Sequence, residues 1–347
     1  MLRSIILGFL IVLGALGGIV GYKAYEFLAV PPQTPGENKV VLIEPGQNFE
    51  AVANMLVAEG VLRDAEGFKL LAKVMDKSGR IKAGEFEVST GWTPSRLLDY
   101  LTTAKGVQHK LAAPEGLTLR QIAKIAEDAG LCTARAFQKA ATDPELLKKY
   151  NIPAESAEGF LFPNTYLFTR KRGDDGTYVV EAMLKEFWKQ AEAVWPGDKP
   201  SGKALLAFVT LASIVEKETG LDGERPRVAG VFTNRLGKGM LLQTDPTIIY
   251  GLGEKFNGNL TRAHLDDPSN PYNTYARPGL PPGPICSPGL KSLQAVASPE
   301  VHEFYYFVGT GEGEHKFSKT LDEHNNAVNK YQRRRNKENK DSKEKKE

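Results

Sequence analysis

The sequence predicts an α+β protein: an N-terminal transmembrane helix, a small α+β subdomain, then a mixed helix/strand domain with long ordered loops. Three observations carry this expectation. Ile5 to Tyr22 is a run of eighteen residues without a charge. Three helical segments then open and close on glycine, two of them preceded by an apolar run and a proline turn. Beyond Glu158 come two longer helical patterns, followed by loops rich in Pro, Gly, Tyr and Asn.

Composition narrows the functional classes. The chain has 347 residues, 41% hydrophobic and 25% charged, which is ordinary globular usage with ample length for a core. Two cysteines, Cys132 and Cys286, exclude a disulfide framework and a four-cysteine zinc site. The five histidines form no His-Glu-x-x-His pair, so no zincin centre is present, and no metal or cofactor is expected. The net charge of +3 is unevenly placed. Residues 330–347 hold nine Lys/Arg against four Asp/Glu, leaving −2 for everything before them. A nucleic-acid enzyme carries its basic surface on the folded domain, so nucleic acid is not the expected partner.

The uncharged run just meets the length a bilayer-spanning helix needs. A cleaved signal peptide is the competing reading, but no small-x-small cleavage site follows; the chain continues Tyr22-Lys23-Ala24-Tyr25-Glu26. A core helix would be out of place at a terminus that leads into Pro31-Pro32. The preferred reading is an anchor, with Arg3 and the terminal amine on the cytoplasmic side. The body would then lie in the periplasm, held to a bacterial inner membrane by a single pass. The expected organisation is an anchor and flank over 1–30, a stiff linker over 31–39, a small subdomain over 40–110, a larger domain over 111–331 and a charged, disordered tail over 332–347.

The three glycine-bounded segments are 46–60, 91–106 and 116–130, with N-caps expected at Asn48, Thr93 and Thr118. Strands are expected before the first (VVLIEPG) and third (KLAAPEG). Such strand–turn–helix units resemble LysM-like sugar-binding modules, and they equally suit a plain α+β scaffold. Their irregular spacing excludes a solenoid. Further on, EGFLFPNTYLFT (158–169) reads as an extended aromatic stretch, and helices are expected over 178–194 and 204–219. FYYFV (304–308) reads as a strand.

No phosphate loop, dinucleotide fingerprint or Gly-x-Ser-x-Gly elbow occurs. The most distinctive acid cluster is LASIVEKETG (211–220). At about 100° per residue, Ala204, Phe208, Leu211 and Val215 form one stripe, and Glu218 falls roughly 60° from it, beside Leu211 and Ile214. Glu216 projects to the other side. A carboxyl at the core edge is costly to ionise, so its pKa rises, as a general acid near neutral pH requires. The alternative is a buried Glu held by a backbone amide or by an arginine such as Arg235. Glu158 and Asp245 are the other acids near loops. Gln243, Thr244, Tyr272, Asn273, Thr274 and Tyr275 offer hydrogen-bonding edges with apolar faces, a lining suited to a neutral glycan; each could equally serve its own loop.

These residues together closely resemble the YceG-like family of endolytic murein transglycosylases. The matching stretches are EGFLFPNTY, ASIVEKET, VFTNRL, LQTDPTIIYG, YNTY, GLPPGPICSPG and HKFSKTLDEHN, in the family's order. Asn164 stands where the family commonly has Asp, and Cys286 where a small residue is common. The resemblance implies cleavage of peptidoglycan glycan strands between N-acetylmuramic acid and N-acetylglucosamine, with the muramyl C6 hydroxyl closing onto C1 to give a 1,6-anhydro end and limit nascent strand length. It implies Glu218 as the single acid/base and glycan-polymerising penicillin-binding proteins as partners; from the loop lining and its acids, Gln243, Thr244, Asp245, Tyr272, Asn273, Thr274 and Glu158 are the expected substrate-binding residues. A membrane-anchored, non-catalytic peptidoglycan-binding scaffold would share the anchor and loops without needing Glu218. A periplasmic peptidase fits less well, since no nucleophile–base pair is visible.

Overall fold

A computed structural model describes residues 2–171 and 173–333. In it, helix α1 (Leu2–Ala29) extends the uncharged run at both ends. Among the described residues it is the one helix long and apolar enough to cross a membrane, with mean hydropathy 1.9 over an 18-residue stretch of Ile6–Ala29. Its large apolar side chains from Ile6 to Val20 are exposed, the surface a lipid phase would cover. Twenty-four helical residues span roughly 36 Å, enough for a hydrocarbon layer of about 30 Å.

The described chain divides into two compact units, residues up to Lys110 with Leu167–Gly173, and Leu111–Tyr166 with the chain from Asp174 onward. The first unit contains β1 (Asn38–Ile43), α2 (Phe49–Ala58), α3 (Ala65–Val74), β2 (Gly84–Ser89) and α4 (Pro94–Thr103). Strands β1 and β2 pair antiparallel with Val41 opposite Phe86. The inward residues of that ribbon, Val41, Ile43, Phe86 and Val88, pack with Leu56, Phe68, Leu97 and Leu101 into one core.

The three look-alike segments differ once folded. Asn48 caps α2 through the Ala51 N–H, and the helix ends at Gly60 with φ 69°. Thr118 builds a full capping box with Gln121 on α5 (Leu119–Asp128), which ends at Gly130 with φ 66°. Both glycines hold the left-handed turn that favours glycine. Thr93 precedes α4 but makes no side-chain cap, and α4 ends at Ala104 in extended backbone, two residues before Gly106. The second segment is therefore a different end geometry on a similar string of residues. Helix α3, capped by Asp64, lies between the first two and carries no glycine frame.

Strand β3 (His109–Ala113), which enters the second unit at Leu111, leads into α5, followed by α6 (Ala134–Ala141), α7 (Pro144–Lys149) and β4 (Asn164–Phe168), which leaves that unit after Tyr166. Strands β3 and β4 form a two-stranded sheet. Then come α8 (Thr177–Val194), α9 (Gly202–Glu218), α10 (Arg225–Gly237), α11 (Asp245–Leu252), α12 (Arg262–Asp266), α13 (Leu290–Ala297), the hairpin β5 (Tyr306–Gly309) and β6 (His315–Ser318), and α14 (Leu321–Val328). Strand β5 starts later than the sequence pattern suggests. Asn234 and Arg235 on α10 take the carbonyls of His302, Phe304 and Tyr305, so these are unavailable to a ladder.

The stripe expected on α9 needs correction. Ala204 is exposed and Phe208 half-buried, whereas every residue from Val209 to Val215 is buried. The C-terminal half of α9 is a central helix, enclosed by α10, α13 and the 280s loop, and its burial is not one-sided. Full burial of Ile214 or Val215 contributes about 1.5–3 kcal/mol each, which fixes this end of the helix firmly. The expected tail over 332–347 lies outside the described residues apart from Gln332 and Arg333, which close a π turn over Asn329–Arg333.

Candidate functional site

Helix α9 ends in the sequence Glu216-Lys217-Glu218, and its buried hydrophobic half delivers both glutamates into packed surroundings. Glu216 accepts from Gly289 N–H at 2.9 Å and Ser292 Oγ at 2.8 Å, and pairs with Arg225 Nη2 at 3.3 Å. The expectation that Glu216 points away from the core is thus wrong: its side chain is 6% exposed. The helix is buried on more than one face, so both sides of its last turn are interior.

Glu218 has a different environment. The Thr244 hydroxyl donates to its Oε1. Thr244 occupies the N-cap of α11, yet its side chain makes no capping bond, because the hydroxyl is turned to Glu218 instead. Burial raises the Glu218 pKa above the usual carboxylate value. The Thr244 bond opposes that rise, the negative charge of Asp245 adds to it, and His315 and Arg235 oppose it. Arg235 supplies field without contact. Its Nε donates to Tyr305 O at 2.6 Å and its Nη1 to Leu242 O at 2.8 Å. The net result is a carboxyl that keeps its proton to higher pH than a surface glutamate, the state a general acid needs.

The loops that frame Glu218 are tied by side chains. Gln243 adopts φ 52°, a left-handed conformation unusual for a residue with a Cβ, and its N–H donates to Thr274 O at 3.1 Å. Thr244 N donates to Thr274 Oγ1 at 3.1 Å, and Thr247 Oγ1 to Thr244 O at 2.7 Å. Tyr275 OH donates to Asp245 Oδ1 at 2.7 Å. Asn273 is wholly buried; its amide donates to the carbonyls of His264, Leu265 and Asp267, while its Oδ1 accepts from Tyr275 N. A cavity of about 280 Å³ lies beside this frame, lined by Asn273, Thr274, Arg277 and the Pro278–Pro282 loop.

Glu158 is also buried. Both of its oxygens accept Leu119 N–H at 3.0 Å, and Oε2 accepts Tyr250 OH at 3.1 Å. Burial pushes its pKa up to about 7, against the opposing pull of these donors. Tyr250 in turn packs on Tyr272, with ring centroids 4.8 Å apart.

The residues predicted for substrate binding therefore separate by exposure. Gln243 and Asp245 are exposed and Tyr272 is half-buried, so these can meet a ligand directly. Thr244, Asn273, Thr274 and Glu158 are buried, and their hydrogen bonds hold the frame. Thr244, Thr274, Gln243 and Asp245 are brought together around the Glu218 carboxyl by the bonds above. His315 and Tyr250 went unselected in the sequence, and Tyr275, although read as part of the glycan-suited lining, was not carried into the site. His315 lies inside the quoted HKFSKT stretch, but one isolated histidine carries no sequence sign of the carboxylate that orients it.

Comparison with known proteins places this arrangement among relatives. The model of the YceG-like family matches residues 41–330, which includes every site residue named above. A relative from Bacillus subtilis, named an endolytic murein transglycosylase, is 32% identical over 83% of this chain and 83% of its own length. One of the same name from Streptococcus pneumoniae is 28% identical over 94% of this chain, which spans only 65% of that longer protein. The crystal structure of a yceG-like protein from Listeria monocytogenes is 31% identical, covers 84% of this chain and 98% of that one, and superposes with a TM-score of 0.54. A family match across both compact units, joined to that level of identity with full-length relatives, leads to one conclusion: the chain belongs to the YceG-like family.

Proposed function

We propose that this protein is a lytic transglycosylase that cleaves peptidoglycan glycan strands internally, between N-acetylmuramic acid and N-acetylglucosamine. The observation that carries the reading is the Glu218 carboxyl: raised in pKa by burial, held by the Thr244 hydroxyl and, among the described residues, without a cation in contact. Protonated Glu218 donates to the glycosidic oxygen as the C1–O bond breaks. The muramyl C6 hydroxyl then closes onto C1, giving a 1,6-anhydromuramyl end. Its proton returns the Glu218 carboxylate to the starting acid, so water is not consumed. Hydrolytic glycosidases need a second carboxylate for a nucleophile or an activated water. Here the substrate supplies the attacking oxygen, and one carboxyl suffices to complete the proton cycle.

The exposed Gln243 and Asp245, with Tyr272, are read as sugar contacts, and Thr244, Asn273, Thr274 and Glu158 as the frame that sets them. The β1–α2–α3–β2 unit, within 40–110, is read as a LysM-like glycan-binding subdomain, with 111–331 as the catalytic domain. Helix α1 fits a single-pass anchor that leaves the body periplasmic, where it would trim nascent strands beside glycan-polymerising penicillin-binding proteins. Incubation of the purified protein with sacculi tests the central reading: products should carry anhydro ends. Reducing ends would mark a hydrolase, and intact glycan that pellets with the protein would mark the scaffold alternative.

A further inference from the structure

A second proton-active pair stands beside Glu218. Glu224, at the head of α10, accepts His315 N–H through Oε1 at 2.8 Å and bonds His315 Nδ1 through Oε2 at 2.7 Å. An ionised carboxylate only accepts, so Nδ1 carries a ring proton, and in the neutral imidazole Nε2 keeps its lone pair. Burial works to raise the Glu224 pKa, but the His315 bonds and the Thr219 hydroxyl hold it below the usual value, consistent with an ionised group. The ring is also fixed laterally, edge-on to Phe307 and Phe317 at centroid distances of 5.3 and 6.4 Å. Nε2 has no hydrogen-bond partner among the described residues and is not sealed from solvent.

The pair is tied to the acid through the backbone. Thr219, the residue after Glu218, donates its hydroxyl to Glu224 Oε2 at 3.3 Å. A positive charge on the His315 ring would act on Glu218, opposing the rise in its pKa. Other charged groups around the imidazole are Glu224 itself, Arg227 stacked on Phe317, Arg235 on α10, and the exposed Lys316 that follows it in β6. A carboxylate–imidazole pair with one ring nitrogen oriented and the other open is the arrangement by which enzymes hold a base in the reactive tautomer.

We propose that His315 Nε2 is the base that first receives the C6 hydroxyl proton as that oxygen closes on C1, with Glu224 as its positioning residue. The inference rests on the reading of Glu218 as the acid. The Glu218 proton moves to the glycosidic oxygen, which keeps the electron pair of the broken C1–O bond. The O6–H bond breaks, its proton goes to Nε2, and its electron pair forms the O6–C1 bond. Glu218 carboxylate and His315 imidazolium remain, and transfer of that proton to Glu218 restores both without water or cofactor. The imidazolium charge offsets the new carboxylate in a pocket where burial opposes a lone charge.

The test measures anhydro-product formation from sacculi against pH, using full-length detergent-solubilised protein, with thermal unfolding and peptidoglycan pelleting in parallel. The wild type should lose activity at high pH as Glu218, the acid, ionises. His315→Gln should run about 10²–10³-fold slower in kcat, with KM, unfolding and pelleting unchanged. Glu224→Gln should run roughly 10-fold slower in kcat, again at unchanged KM. If His315→Gln fails to fold, His315→Asn keeps an amide near the Nδ1 position and is read the same way. A His315 variant at the wild-type rate, or one slowed through KM and pelleting with kcat unchanged, overturns the proposal while leaving the Glu218 reading standing. A wild type that makes no anhydro ends overturns both.

Discussion

Glu216 and Glu218 leave the same helix two residues apart and meet opposite surroundings. Glu216 has Arg225, a backbone N–H and a serine hydroxyl; its partner Arg225 is itself 5% exposed and reaches Asp222 at 3.3 Å as well. Glu218 has a single hydroxyl donor and the negative charge of Asp245 nearby. Both carboxyls are withdrawn from water, so burial alone does not separate a structural acid from a chemical one. The number of donors and the presence of a cation in contact do. Glu216, with three partners, is engaged by the fold, whereas Glu218 is raised in pKa and retains a proton to higher pH.

Four substitutions sharpen or break this contrast. The largest effect is expected at Glu218→Gln, which keeps size and the Thr244 contact but removes the transferable proton. Anhydro-product formation should fall by about 10²–10⁴-fold with unfolding temperature little changed. A folded variant at the wild-type rate would remove Glu218 from the chemistry.

Glu216→Gln should do the reverse. It leaves Arg225 without its buried carboxylate partner, a change that costs roughly 3 kcal/mol or somewhat more. Urea unfolding should show that loss, while the folded enzyme keeps activity within a few-fold of wild type. Inactivity without destabilisation would reverse the roles of the two glutamates.

Glu158→Gln separates frame from chemistry through pH. The folded pKa of about 7 lies above the ordinary glutamate value of 4.5, so between these limits the native state holds a proton that the unfolded chain has lost. Stability from this group is therefore complete below about pH 4.5 and declines as pH rises toward 7, by up to about 3 kcal/mol. Relative to wild type, the glutamine variant should lack that decline in a series of unfolding curves. Parallel curves for the two proteins would contradict it.

The smallest effect is expected at Thr244→Val. Loss of the hydroxyl removes a bond that favours the Glu218 carboxylate, so the Glu218 pKa should rise further and the alkaline limb of activity should move to higher pH. The rate at the optimum should change less than about 10-fold, in keeping with one hydrogen bond of about 1–2 kcal/mol. An alkaline limb that stays in place would show that Thr244 does not set the acid.

Much of this molecule was legible from residue order because the governing interactions are local. The span Ile5–Tyr22, the Asn48 and Thr118 caps with Gly60 and Gly130, and the helices over 177–194 and 202–218 all follow from contacts within a few residues. Glu218 stood out for the same reason, as an acid at the end of an apolar helix. The surroundings that decide what each acid does come from distant parts of the chain. Glu216 meets Gly289 and Ser292, Glu158 meets Leu119 and Tyr250, and Glu224 meets His315, across 39 to 92 positions. Helical periodicity presumes one wet face, and α9 has none from Val209 to Val215, so it misdirected Glu216, whose side chain is buried although Lys217 beside it is exposed. Local sequence determined which segments are helices and which acid lies at a core edge. Tertiary packing alone decided which donors and charges surround each carboxyl, because proton affinity depends on neighbours in space and not on neighbours in sequence.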